Sequence, residues 1–531
     1  MSLTRPITRS LTRAITRPLT APGAGSSIFD PISLFAANEP GAFYDTNDLS
    51  TMFVDSAGTQ PTPVNGLVGL QLDKSRGLAV GSDVRASGAI GLLGTATAAT
   101  YNSGTGAGSV TRVDATNQSF VTFTGLVAGG FYRLTFSAVS AALALRTGGV
   151  AGTAYSTIAA SGSVLCLADA SGVLTVTANA AGTATFTLAS ITSLAGLHRY
   201  QGTTGFKPVL RGTPVGAPVF ADDFSDGNTD GWVPLNGALL SVVSGAMRIQ
   251  HNGSTNPAAT LPIPTVVGRS YRLRMAVLST SVVNNTQMRI GTTSGGTQLF
   301  VSASAPGARI IESYFTASTT ISWLTIFYLT GTADAFADVD NIELHDVSAD
   351  AVTAPYGLQF DGADDFLLTA SANFTSTDAV TVCAGVRKFS DTAQGTVCEL
   401  TASTAANNGS FLLAAPDAAT PTFAFDSKGT VQADAVVSGN AAPITAVLTG
   451  AADISADTVS LRVNGVLGDT DTGDQGTGNY SNAIVYYGRR GGATLPYNGL
   501  AYPTLIIGRL LTTDELTDLE AYTATGTGVT I

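Results

Sequence analysis

Apolar and polar residues alternate along most of the chain in short runs, and the runs are broken by Gly, Asn and Asp. Val459-Ser460-Leu461-Arg462-Val463 alternates in this way and leads into Asn464-Gly465, a dipeptide that favours a tight hairpin turn. The same period of two recurs in Phe131-Tyr132-Arg133-Leu134-Thr135-Phe136, in Tyr271-Arg272-Leu273-Arg274-Met275 and in Asp338-Val339-Asp340-Asn341-Ile342. Such runs bury every second side chain between two sheets packed about 10 Å apart. The most apolar run, Trp323 to Leu329, has the length of one buried strand, and Trp323 is read as core. One stretch keeps a helical period instead. In Leu511 to Tyr522, Thr512 and Glu515 have capping-box spacing, acids crowd the first turn, and Leu516 and Leu519 share a face. The pattern predicts an all-β chain of multiple antiparallel β-sandwich (jelly-roll) domains, with an extended N-terminal arm and one short C-terminal helix.

The arm is a tetrapeptide repeat. Leu3-Thr4-Arg5-Pro6, Ile7-Thr8-Arg9-Ser10, Leu11-Thr12-Arg13-Ala14 and Ile15-Thr16-Arg17-Pro18 are followed by Leu19-Thr20. Its β-branched content and its prolines favour an extended chain, with aliphatic residues and arginines at odd positions and small polar residues at even ones. Such a segment has no core of its own. It is either a disordered tail or a peptide that orders on a partner surface, and the strict repeat favours docking.

Composition narrows the function classes. Hydrophobic residues make up 44% of the 531 residues and charged residues only 12%, so several cores are within reach. The net charge is −12, and the arm alone carries +4, which leaves −16 on the rest. Nucleic acid is therefore not an expected partner, because phosphate binding needs clustered Lys and Arg. No apolar run has membrane-spanning length, and the N-terminus lacks the apolar core of a signal peptide. Cys166, Cys383 and Cys398 have no metal-ligand spacing. They read as small buried hydrophobes, although Cys383 and Cys398 fall on consecutive predicted strands that would place them near one another.

Three stretches carry resemblances. The run Glu39-Pro40-Gly41-Ala42-Phe43-Tyr44-Asp45-Thr46-Asn47-Asp48-Leu49-Ser50-Thr51-Met52-Phe53, continued by Val68-Gly69-Leu70-Gln71-Leu72-Asp73-Lys74-Ser75, resembles a segment of phage and prophage structural proteins. The Phe360-Asp361-Gly362-Ala363-Asp364-Asp365-Phe366 block, the Asn464-Gly465 hairpin, Tyr497-Asn498-Gly499-Leu500 and the terminal helix resemble the concanavalin-A/laminin-G-like sandwich found at the C-terminus of many tailed-phage virion proteins. The opening Asp222-Asp223-Phe224 to Gly231-Trp232, with the Asp340-Asn341-Ile342 ending, is similar to carbohydrate-binding-module jelly rolls. The expected organisation is an arm (1–28), a phage-type segment belonging to or packed on the last sandwich (29–78), a first jelly-roll insert (79–195) and a return segment (196–218). A second, module-like jelly roll (219–350) and the lectin-like sandwich (351–531) complete it. Residues 29–78, 196–215 and 352–531 would then form one discontinuous sandwich.

Chemistry is sparse. His198, His251 and His345 lie in separate segments, and no nucleophile elbow or phosphate loop is present. Asp222/Asp223, Asp338/Asp340 and Asp364/Asp365 are the carboxylate pairs that glycoside hydrolysis would need, but Asp-rich turns explain them more simply. No catalytic residue is assigned, and no enzyme is expected. No cofactor is expected; in the resembling sandwiches equivalents of Asp222, Asp223 and Asp340 can lie near a structural calcium, and turn capping is the simpler alternative. Tyr497 and Asn498 beside Arg489 and Arg490, with Trp232, are the candidate glycan-binding residues. Arg5, Arg9, Arg13 and Arg17 are the candidate anchor. The function implied by the resemblance is a non-enzymatic virion protein, a projecting fibre or tail protein assembled in the host cytoplasm. It would be held to other virion proteins by its arm, homo-oligomeric with a trimer favoured, and directed at host-surface glycans. A capsid or tail decoration (cement) protein and the binding region of a glycan-active enzyme are the alternatives.

Overall fold

The computed structural model describes residues 29–531 except Thr97, Thr153, Ser254, Thr255, Asn284 and Ala303. The four repeat arginines Arg5, Arg9, Arg13 and Arg17 lie outside the described residues. Antiparallel sheets dominate, and the C-terminal helix Thr513–Thr525 begins at a capping box. There the Thr512 side chain accepts from the Glu515 amide while the Glu515 carboxylate accepts from the Thr512 amide. No helix among the described residues is long and apolar enough to cross a membrane.

The C-terminal sandwich draws strands from three separate stretches of chain. One sheet runs Val209–Pro214, Val352–Asp361, Asn498–Ile507, Ala379–Lys388, Ile444–Asp453, Thr458–Val463 and Val466–Asp471, and Gly41–Tyr44 also pairs with Asn498–Ile507. The facing sheet runs Met52–Phe53, Leu70–Gln71, Arg199–Tyr200, Leu367–Asn373, Asn482–Tyr487, Thr396–Leu400, Ser410–Ala414, Phe423–Lys428 and Gln432–Val437. Between them lies a core that includes Tyr44, Val68, Leu210, Phe360, Val382, Phe411, Phe425 and Ile506. The sheets approach closely where Gly450 faces Phe425: a Cβ at Gly450 would sit 2.2 Å from that ring. The hairpin expected at Asn464-Gly465 forms with both residues in the left-handed region, at φ 50° and 78°.

Each inserted unit grows out of a pair of adjacent antiparallel strands. Leu70–Gln71 pairs with Arg199–Tyr200, and the first unit occupies the chain between them. Its eleven strands form one hydrogen-bonded sheet, because the long strand Gly182–Leu194 pairs first with Ala107–Arg112 and then, past register shifts, with Phe131–Val139. Val209–Pro214 pairs with Val352–Asp361 down to Pro214 opposite Val352, and the second unit fills the interval. That unit is a sandwich of two six-stranded sheets around Met247, Leu273, Met275, Ile290, Leu324 and Ile326. Trp323 is not in this core. Leu324 and Ile326 point inward, so the pleat turns Trp323 to the outer face, where it is half-buried. Cys383 and Cys398 also part company, because their strands belong to opposite sheets; all three thiols are buried and free.

The first stretch and the returning segment are tied at Asp73, which is fully buried, and the neighbouring Arg199 carries the junction to the third stretch. Its carboxylate accepts from the Phe43 amide at 2.8 Å, the Ser75 amide and hydroxyl at 2.8 Å each, and the Leu197 amide at 2.6 Å. Its own amide donates to His198 Nδ1 at 2.9 Å. Beside it the buried Arg199 guanidinium lies 4.3 Å from the Tyr44 ring centroid and 4.7 Å from that of Tyr487, and donates to Gln71 Oε1. An Asp73→Asn substitution places an amide donor against donors. It is expected to lower unfolding free energy by about 2–4 kcal/mol in a denaturant titration; a loss within experimental error would show that Asp73 ties nothing.

Candidate functional site

The aromatic and basic residues singled out around the last strand are mostly engaged internally. Tyr497 is fully buried against Phe360, and its hydroxyl donates to the Leu500 carbonyl at 3.1 Å. It offers no exposed ring for a sugar, because the chain turns inward just before the strand Asn498–Ile507. Arg490 closes on the buried Glu399 carboxylate at 2.9 Å. Arg489 donates to the Ala493 carbonyl at 2.7 Å, so both guanidinia shape their own loop. Asn498 is half-buried beside Asp361 in the sheet. Trp232 is also internal: it packs on Phe224, and its indole N–H donates to Asp222 Oδ2 at 2.9 Å. Of the neighbouring tyrosines, Tyr486 is the one turned outward. In Asn482–Tyr487 the core takes Ala483, Val485 and Tyr487, which leaves Asn482, Ile484 and Tyr486 on the opposite face.

That outward row forms one wall of a groove of about 390 Å³. The other wall is the loop between Thr396–Leu400 and Ser410–Ala414, which contributes Thr401, Ala402, Asn407 and Asn408, while Ser481 lies at the head of the first wall. The loop is held at several points. Thr404 donates through its amide and hydroxyl to Glu399 Oε1 at 2.6 and 2.8 Å, the Thr401 amide donates to the Ile484 carbonyl, and Lys428 Nζ donates to the Ala405 carbonyl. Thr401 adopts φ 81°, a left-handed conformation costly for a β-branched residue, and the surrounding bonds hold it there. The Thr401 and Ser481 hydroxyl oxygens are buried with no hydrogen-bond partner among the described residues. Neutral amides and one tyrosine flank make a surface for a ligand rich in both donors and acceptors, with the two unpaired hydroxyls enclosed beneath it. Neither a carboxylate nor an imidazole lines it. The sequence offered only weak signals for this site, because Asn407-Asn408-Gly409 reads as a turn and Thr401 as an ordinary strand end.

The carboxylates expected near calcium meet only in part. Asp222, Asp223, Ser225, Asp226, Asn341 and Glu343 surround a polar pocket of about 380 Å³. Burial, followed by the nearby Asp223 and Asp222 charges, raises the Asp340 carboxyl above its usual value. Each of the three is already engaged in a local bond: Asp222 with Trp232, Asp223 with Ser225, and Asp340 with Asn341. A three-carboxylate convergence, with one oxygen from each inside 4.8 Å, occurs instead at Asp361, Asp364 and Asp365. There burial, and secondarily the Asp361 and Asp364 charges, pushes the Asp365 carboxyl up to about 7. Glu399 and Asp426 share the outer face of the second sheet, in register through Leu412. Glu399 is fully buried and Asp426 is 6% exposed, too enclosed to meet a polysaccharide.

Residues 361–517, which contain the groove, match a family model. The family is the concanavalin A-like lectin/glucanases superfamily. No curated protein matches the chain. Similar solved structures include the Ruminococcus gnavus IT-sialidase CBM40 bound to α2,3-sialyllactose, 16% identical over 28% of this chain and 83% of that one, with a TM-score of 0.23. The CBM22-1 xylan-binding domain of Paenibacillus barcinonensis Xyn10C is 12% identical over 26% of this chain and 98% of its own, with a TM-score of 0.22. The receptor-binding domain of botulinum neurotoxin D is 9% identical over 31% and 43%, with a TM-score of 0.26. The match to residues 361–517 supports a lectin-type sandwich over that stretch.

Burial, followed by the charges of Asp417 and Asp434, pushes the Asp426 carboxyl up to about 8. The folded chain therefore holds this proton where the unfolded chain, with an ordinary value of 3.8, has released it. Stability from this group is complete below pH 3.8 and is lost as pH rises toward 8. Asp426→Asn keeps an acceptor for Gln432 and removes the titration. The melting temperature of the variant minus that of the parent is expected to grow from near zero at pH 4 to several degrees at pH 8. A difference that does not change with pH would contradict the raised value.

Proposed function

We propose that the chain is a non-enzymatic glycan-binding protein of a tailed-phage virion, anchored by its N-terminal arm and projecting its sandwiches toward the host surface. The groove between Asn407-Asn408 and Asn482–Tyr486 carries the binding half of this reading. It is neutral, and its amide and tyrosine side chains both donate and accept. A polyhydroxylated ligand satisfies such groups where an apolar or strongly charged one does not. The lectin-type match over residues 361–517 supports the same class of ligand. The virion half is supported by the repeat arm and by the resemblance of residues 39–78 to phage structural segments. Several weak sites on a homo-oligomer, with a trimer favoured, give useful avidity, which raises binding about 10²–10⁴-fold without new contacts.

On a glycan array the full chain is expected to select a limited set of host-surface glycans. Asn482→Ala and Tyr486→Ala should each weaken that binding about tenfold, the equivalent of one good hydrogen bond or stacking contact, at unchanged melting temperature. Soluble protein should also slow phage adsorption to host cells, and Tyr486→Ala should not. Equal competition by both proteins would remove the groove from the reading.

A further inference from the structure

A second groove, apolar and of about 490 Å³, lies on the far side of the lectin-type sandwich, along the C-terminal helix. Phe29, Ala354, Ala521, Tyr522 and Thr525 line it, and Asp518 stands at its edge. The Tyr522 ring is fixed from behind: Phe43 meets it edge-on at 5.8 Å, and its hydroxyl donates to Asp45 Oδ2 at 3.0 Å. Its front is met by Phe29, edge-on at 6.4 Å. Phe29 is the first described residue, and it lines this groove.

We infer that in the free chain, before the arm is handed to a virion partner, the groove holds this chain's own basic arm, residues 3–20, folded back along the helix. Three observations converge. The first is charge. The helix Thr513–Thr525 carries Asp514, Glu515, Asp518 and Glu520 and no Lys or Arg. Glu515 is paired with Arg509 and Glu520 with Arg462, whereas Asp514 and Asp518 have no ion pair among the described residues. The arm has four arginines and no acid. The second is pattern. In an extended chain Ile15 shares its face with Arg13 and Arg17, each about 7 Å away. That row matches a groove in which the apolar wall of Ala521 and Tyr522 adjoins Asp518. The third is reach. The Ala21-Pro22-Gly23-Ala24-Gly25-Ser26-Ser27-Ile28 spacer extends to roughly 26–29 Å, longer than the helix at about 20 Å, and its glycines allow the reversal. The tether supplies an effective concentration in the millimolar range, so a few aliphatic contacts suffice to hold the arm.

Hydrogen exchange on the full chain tests this. In one variant Leu11, Ile15 and Leu19 become serine; in another, Asp518→Lys reverses the exposed charge at the groove edge. Each is expected to speed exchange of the 513–525 amides about three- to tenfold, with the distant strands unchanged. Combining Asp518→Lys with Arg13→Glu and Arg17→Glu is expected to restore protection. Exchange indifferent to all of these changes would overturn the proposal. Protection that rises with protein concentration, alongside a larger mass by light scattering, would overturn it too, because the arm would then come from a second copy.

Discussion

A single buried carboxylate, Asp73, decides how this chain is assembled. It sits where the first stretch meets the returning segment, and it accepts from the Phe43 and Ser75 amides of the one and the Leu197 amide of the other. A carboxylate away from water is tolerated when its lone pairs are filled. Here burial still outweighs the four hydrogen bonds and leaves the carboxyl raised above its ordinary value. Arg199, pressed between two tyrosine rings, and His198, held neutral by burial with its value lowered to about 4, complete the junction from the returning segment.

Much of the architecture was legible because it depends on local rules. The Asn464-Gly465 turn, the capping box at Thr512 and the alternation in Tyr271–Met275 each encode their geometry in neighbouring residues. The junction at Asp73 was not legible in the same way. Gln71 and Arg199 are 128 residues apart, and nothing in either stretch names the other. The pleat explains the remaining misses. Alternation shows that two faces exist, and only tertiary packing decides which one is wet. Trp323 thus faces outward and Tyr497 inward, against their hydrophobic rank.

The binding groove illustrates the same limit at a site. Its two walls come from residues 401–408 and 481–486, joined by sheet pairing between Thr396–Leu400 and Asn482–Tyr487. The arginines that looked like ligands instead anchor the loops around it. Arg490 neutralises Glu399, and Glu399 in turn holds Thr404 and the loop that follows. Residues chosen from sequence for direct contact proved to shape the surface from beneath. The groups that line the groove are small amides of a kind found in any turn.

The grafting of each inserted unit between two adjacent paired strands has a mechanical consequence. A domain strung on a single linker swivels freely about it. A domain entering and leaving through neighbouring strands is clamped at two points, and twisting it must shear the hydrogen bonds of the pair below. Arg387, bonded to the buried Glu312 of the second unit at 2.6 Å, adds a third point outside that line and resists bending as well. Torque applied to the second unit is therefore passed to the strands of the scaffold below instead of being lost in a linker.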